Sequence, residues 1–136
     1  LIMVFHTEVP LRTVNRTHWL DVTSQVEFVL KKSNALNGIC LVSSQHTTAG
    51  LTINENADPD VQRDFFWKLN SVFPQDVSFA HREGNSDSHI KASLVGFSVQ
   101  VPVVNGELKL GTWQSVYFCE FDGPRNRIIT VSFVGD

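Results

Sequence analysis

Between Phe97 and Val134 the chain runs through four stretches rich in β-branched and aromatic residues, separated by Asn105-Gly106, by the region of Gly111 and by Asp122-Gly123-Pro124. Asn-Gly between alternating apolar residues is a strong hairpin signal, because both turn positions need positive φ. The reading is a set of strands over Phe97–Val104, Glu107–Leu110, Trp113–Phe121 and Arg127–Val134, joined as an antiparallel meander. A sheet of this kind must bury one face, so the rest of the chain has to supply its cover.

That cover is legible upstream. Leu1 to Leu11 and the residues beyond read as extended chain, with Pro10 marking an edge or a break. Asp21 is placed to cap a helix running to about Asn34, with Val22, Val26, Val29, Leu30 and Ser33 on one face, and Asn37-Gly38 ends it. Gly38–Ser43 and Thr47–Asn54 read as strands. Asp58-Pro59 is a cap followed by proline at the first helical position, and Val61, Phe65, Leu69 and Val72 form that helix's apolar stripe. Phe66 and Trp67 lie off the stripe; they belong either to a subunit interface or to a broader core face. A short third helix spans Asp87 to Val95, capped by Asp87 and stopped by Gly96. The expected fold class is α+β: one compact domain over 1–136, with mixed or antiparallel sheets and three helices.

At 136 residues, 42% of them apolar, such a domain can build a core without disulfides or structural metal. A formal net charge of −3 and the lack of a long basic stripe exclude nucleic acid as the default partner. No apolar run approaches the roughly 18 residues of a membrane span. Leu1-Ile2-Met3-Val4-Phe5 lacks the basic region of a signal peptide, so a cytoplasmic location is expected. Cys40 and Cys119 sit in apolar runs and read as buried thiols in a reducing compartment. There is no repeat, no P-loop, no dinucleotide-binding glycine fingerprint and no nucleophile elbow.

Residues able to do chemistry fall in four groups. Ser43 to Gly50, containing His46, Thr47 and Thr48, follows a buried strand; its hydroxyls and backbone N–H groups could hold phosphate oxygens or form a solvated turn. Asn54 to Asp60 sets carboxylates at a helix start, where capping explains Asp58 and Asp60 but not Glu55. His81 to Lys91 is the densest group, with Glu83, Asn85, Asp87 and His89 between its ends. Fully extended, it would hold His81 and His89 roughly 26 Å apart. A shared site therefore requires the chain to reverse, for which Gly84-Asn85 is suited. The spacing is not a standard zinc pattern, and on spacing alone a surface loop with a helix cap explains it better than a metal. The last group joins Gly111-Thr112-Trp113-Gln114 to Glu120 through Arg127; Arg125 and Arg127 offer forked donors suited to phosphate, and Trp113 beside the polar turn reads as core sooner than as a stacking platform. His6 and His18 read as ordinary strand or loop residues.

Taken in series, His46-Thr47-Thr48-Ala49, Ile53-Asn54-Glu55-Asn56, Asp58-Pro59-Asp60-Val61, His81-x-Glu83-Gly84-Asn85, Asp87-x-His89-Ile90-Lys91, Gly111-Thr112-Trp113-Gln114 and Glu120-Phe121-Asp122-Gly123-Pro124-Arg125 resemble the YjbQ family of secondary thiamine-phosphate synthases in order and spacing, over nearly the whole chain. The departures are Ser88, where alanine is frequent, and Phe79, where tyrosine is frequent. The resemblance implies a homotrimer with a polar site near the subunit interface. It also implies a thiamine-phosphate synthase activity that condenses a hydroxymethylpyrimidine diphosphate with a thiazole phosphate and releases diphosphate, as a side activity beside an unidentified main role. It further implies a divalent metal, zinc, with His46, His81 and His89 as ligands, and magnesium accompanying the substrate. Glu83 or Asp87 would orient the imidazoles, and Glu55, Glu83, Asn85 and Asp87 form the expected catalytic group, with Asp60 beside them. Thr47, Thr48, Lys91 and Arg125 would bind the phosphorylated small molecule, where leaving diphosphate needs positive charge. Two other functions compete with this one: a trimeric module that binds metal and phosphometabolites without turnover, and a trimer whose histidines merely hold subunits together.

Overall fold

The computed structural model describes residues 2–136; Leu1, counted above in the first extended segment, lies outside them. In chain order the elements are β1 (Met3–Arg12), β2 (His18–Asp21), α1 (Thr23–Lys32), β3 (Gly38–Ser44), β4 (Ala49–Glu55), α2 (Pro59–Val72), α3 (Ser86–Val95), β5 (Ser98–Val104), β6 (Glu107–Leu108), β7 (Gln114–Glu120) and β8 (Asn126–Gly135). The fold is α+β with three helices and two antiparallel sheets, one of order β1-β8-β3-β5-β6 and one of order β2-β7-β4.

The C-terminal strands are not a meander. Only β5 and β6 pair as a hairpin, across Asn105 and Gly106, whose φ values of 52° and 83° are those the Asn-Gly signal anticipates. β7 and β8 are consecutive but lie in different sheets. The reason is in β7 itself. Val116 and Phe118 pack into one apolar core, while Tyr117 and Cys119, alternating with them, pack into another. A strand buried on both faces needs a central position and cover on both sides. β7 takes it between β2 and β4, and β8 takes an interior position of the other sheet between β1 and β3.

The molecule is therefore layered. The inward residues of the five-stranded sheet (Cys40, Val42, Val101, Ile129, Val131) meet Leu51, Val116 and Phe118 of the three-stranded sheet, and α1 adds Val26, Val29 and Leu30. The far face of the three-stranded sheet is covered by α2 and α3. Trp19 anchors that second core, with its ring 4.9 Å from both Phe65 and Tyr117. The close approach of α3 to β4 depends on Gly50, where a Cβ would stand 2.4 Å from the carbonyl oxygen of Gly96.

Three local expectations change. Phe66 is the buried residue of α2 and packs near Phe121, so it belongs to the broader core face; Val72 is exposed, and Trp67 is 68% exposed. Trp113 is exposed rather than core, because the strand starts one residue after it. Asp87 does not cap α3: the helix begins at Ser86, which carries Asp87 inward on its first turn. Asp21 does bond the start of α1, accepting from the Thr23 amide at 3.0 Å.

Candidate functional site

A polar depression of ≈ 420 Å³ opens where the β3–β4 turn, the segment before α3 and the turn before β8 converge. It brings together His46, Thr47 and Thr48 from the first, His81, Glu83 and Asn85 from the second with His89 on the first turn of α3, and Asp122 and Arg125 from the third with Arg127 at the start of β8. Three of the four sequence clusters thus meet in space. The reversal expected between His81 and His89 is made, and their ring centres stand 5.3 Å apart at an interplanar angle of 83°.

The β3–β4 turn is set by Ser44, whose hydroxyl donates to the Ala49 carbonyl oxygen and accepts from the His46 amide. His46 reaches across to β8, where its Nε2 accepts a hydrogen bond of 2.9 Å from the Ile128 amide. That bond requires an unprotonated Nε2, so the neutral ring carries its proton on Nδ1. Burial first, and the Arg127 guanidinium second, hold the His46 pKa below its ordinary 6.5.

Beneath the depression Glu120 and Arg127 form a buried ion pair. Glu120 also accepts from the Thr13 hydroxyl at 2.6 Å and from the Asp122 amide at 3.1 Å, while Arg127 donates to Thr48 Oγ1 at 2.9 Å. These partners satisfy the pair, as a charge withdrawn from water requires. Arg125 lies at the rim, its Nη2 2.9 Å from Asp122 Oδ2. Thr13 fixes the turn beside it by accepting from the Arg125 amide at 2.9 Å. Nothing in the sequence around Thr13 marked it for this role, because its partners lie more than a hundred positions away.

Asn85 is 7% exposed, and its Nδ2 donates to Asp122 Oδ2 at 2.8 Å. Its Oδ1 is buried with no hydrogen-bond partner among the described residues. An orphaned acceptor of this kind costs on the order of 1–3 kcal/mol, which a ligand donor, a water or a cation would recover.

With Arg127 neutralised by Glu120 and Arg125 by Asp122, Glu83 is the unmatched formal charge among the lining side chains. The depression is thus rich in acceptors and slightly negative. A tetrahedral ion held by two imidazoles at about 2.0–2.1 Å would set their ring centres about 5 Å apart, which matches His81 and His89. The expected third ligand, His46, faces the same depression but spends Nε2 on Ile128. Among the described residues no group of three His, Cys, Asp or Glu side chains is placed to hold one metal ion.

Other expected site residues lie elsewhere. Glu55 ends β4 opposite Gln114, whereas the depression adjoins that strand's start, roughly 20 Å away by strand rise. Asp60 sits in the first turn of α2, its amide donating to the capping Asp58 carboxylate. Asp87 and Lys91 are buried together behind α3, where Lys91 Nζ lies 2.8 Å from Asp87 Oδ2. Burial presses the Asp87 pKa upward, but hydrogen bonds and charge from Lys91 and Arg16 outweigh it and hold the carboxyl below its ordinary 3.8. Both cysteines are free and buried; burial pushes the Cys40 thiol up to about 11 and raises Cys119 as well, so neither is primed as a nucleophile. No helix among the described residues is long and apolar enough to cross a membrane.

Comparison with known proteins places these features in a family. The family described as UPF0047 protein YjbQ-like matches residues 7–136. The UPF0047 protein YugU of Bacillus subtilis is 46% identical over 126 residues, covering 92% of this chain and 96% of that protein. A UPF0047 protein of Methanocaldococcus jannaschii is 44% identical, covering 93% and 91%. Among solved structures, an uncharacterised YjbQ/UPF0047 protein of Clostridium acetobutylicum superposes with a TM-score of 0.91 at 50% identity, covering 93% of this chain and 98% of that one. A protein of unknown function from Sulfolobus solfataricus superposes with a TM-score of 0.94 at 32% identity over the full length of both.

Proposed function

Because the chain belongs to the YjbQ-like UPF0047 family, we propose that the histidine-lined depression is an enzyme site of the secondary thiamine-phosphate synthase type. It condenses a hydroxymethylpyrimidine diphosphate with a thiazole phosphate, releasing diphosphate. The observation that carries this reading is the orphaned Asn85 Oδ1, a buried acceptor kept without a partner beside two histidines. A turn that served only to start a helix would have no use for it.

His81 and His89 are the residues suited to a divalent ion, zinc in this proposal, with magnesium accompanying the diphosphate. Such an ion, held by His81 and His89, would supply the positive charge that the internally paired arginines do not. Glu83 and Asn85 orient substrate or bound water. Arg125, exposed at the rim, exchanges Asp122 for the leaving diphosphate, where negative charge grows as its bond to carbon breaks. Thr47 and Thr48 line the same wall, so their backbone donors serve the phosphate. Glu55, Asp87 and Lys91 take no direct part in this arrangement. The working form is a cytoplasmic homotrimer. In support, Trp67 is exposed, and the uncovered face of the five-stranded sheet carries Val4, Ile39, Ile128 and Val134.

The test is diphosphate release by purified protein, with and without zinc and magnesium, alongside metal content and mass in solution. The proposal expects turnover, about one metal ion per chain and a trimer. It also expects metal and turnover to fall together in His81→Ala and His89→Ala. Turnover unchanged in both variants would overturn the assignment. One observation favours a second reading, binding of metal and phosphometabolites without catalysis: His81 and Glu83 are exposed, so a single chain does not exclude water from the site. Phosphate-dependent stabilisation without turnover would select that reading.

A further inference from the structure

Behind α3, away from the histidines, lies a separate cavity of ≈ 350 Å³ lined by Arg16, Thr17, Asn70, Gln75, Asp87 and Lys91 among others. We propose that this cavity is a second binding site, for the oxyanion group of a small phosphate or carboxylate ligand.

Charge balance is the first argument. Asp87 is buried and both its oxygens are committed: Oδ2 to Lys91 at 2.8 Å, and Oδ1 to Arg16 at 3.3 Å. Two cations therefore share one carboxylate, where one would neutralise it. Withdrawing an ammonium from water is costly unless its charge is matched. Lys91 is 1% exposed, and the lining side chains carry one positive charge in excess. A second anion completes the set.

Donor accounting is the second argument. Lys91 Nζ spends one hydrogen on Asp87 and another on Asn70 Oδ1 at 2.7 Å. An ammonium has three. Arg16 touches Asp87 only at 3.3–3.5 Å, longer than the roughly 2.7–2.9 Å of a settled charge-assisted bond. Its side chain is 36% exposed, so the fork can turn toward a ligand without leaving the network. The Thr17 hydroxyl and the Gln75 amide lie on the same wall, and Gln75 holds only a long contact of 3.4 Å to the Gly84 carbonyl oxygen.

Space is the third. A purely structural tie would be closed by packing. This one ends in a cavity many times the share of one water molecule, about 30 Å³, and within the range of small-ligand sites, about 300–1,000 Å³. The cavity shares no lining residue with the histidine depression, so the inference stands whether or not the enzymatic reading does.

The experiment is a titration of the isotope-labelled full chain with inorganic phosphate to about 10 mM, followed by amide chemical shifts. Saturable shifts at Arg16, Thr17, Gln75 and Asp87 are expected. Arg16→Gln should weaken binding about tenfold, the loss of one charge-assisted contact, whereas Lys109→Gln, an exposed cation outside both sites, should leave it unchanged. Shifts confined to residues 45–48 and 122–127 would overturn the proposal and assign phosphate to the depression. So would non-saturating shifts spread over the surface, or unaltered binding by Arg16→Gln. The map of the unsubstituted chain decides the question even if a variant fails to fold.

Discussion

The histidine depression and the cavity behind α3 draw on residues of one helix start, yet their chemistry is opposite. Asn85 and His89 serve the first, Asp87 and Lys91 the second. Residues two apart on a helix point roughly 200° away from each other, so a single short segment feeds two pockets. In the depression both arginines are matched by carboxylates, and what remains is an unmatched Glu83 and an orphaned carbonyl oxygen. In the cavity two cations share one carboxylate. The first arrangement invites a cation, the second an anion. The difference also runs through exposure: His81 and Glu83 are open to water, whereas Asp87 and Lys91 are sealed. Function in the first is therefore separable from stability, and in the second it is not.

That separation can be broken by mutation. The largest effect is expected from Lys91→Met, which leaves Asp87 buried with only the loosely held Arg16. Urea unfolding should show a loss of about 3–5 kcal/mol, and the double change Asp87→Asn with Lys91→Met should recover much of it. A loss below about 1 kcal/mol would remove the buried pair from the comparison. Next comes Glu120→Gln, which strips Arg127 of its counter-charge while keeping its shape. A loss of roughly 2 kcal/mol is expected, together with weaker zinc uptake, because the depression turns positive. Measuring both on one sample asks whether the floor of the depression governs its ligand. His81→Ala should change stability by no more than about 0.5 kcal/mol, as exposed groups do, and the half-buried His89→Ala by about 1 kcal/mol, while metal content falls in both.

The smallest effect is in pH. His46 is held neutral below its ordinary 6.5, so the unfolded chain takes up a proton that the native chain refuses. Stability should therefore decline as pH falls below 6.5. Asp87 acts lower: its depressed pKa adds stability above 3.8, which is lost as pH falls through the native value. A urea midpoint flat from pH 7 to pH 4 would remove the His46 contribution.

Much of this molecule is legible in its residues. Asp58-Pro59 starts α2 and Asn105-Gly106 turns β5 into β6 because each signal is local: a side chain capping its own backbone, or a pair of residues that tolerate positive φ. The clustering of His81, Glu83, Asn85 and His89 was visible for the same reason, being one stretch of chain with a turn in it. Asp87 and Lys91 share that stretch, but the sequence does not say which face of it they take. Only a helix beginning at Ser86, rather than one capped by Asp87, turns them inward.

By itself, the sequence determined most of the elements and their approximate limits, β2 excepted, together with the α+β class and the family. These follow from periodicity, capping and turn chemistry within a few residues, and from motifs in fixed order. Tertiary structure alone decided that β7 and β8 part into different sheets, that Thr13 steadies Arg125 across the fold, and that Glu120 neutralises Arg127 beneath the depression. Each of these is a competition for burial and for charge partners among segments distant in sequence. It is settled only when the two faces of β7 find their separate cores.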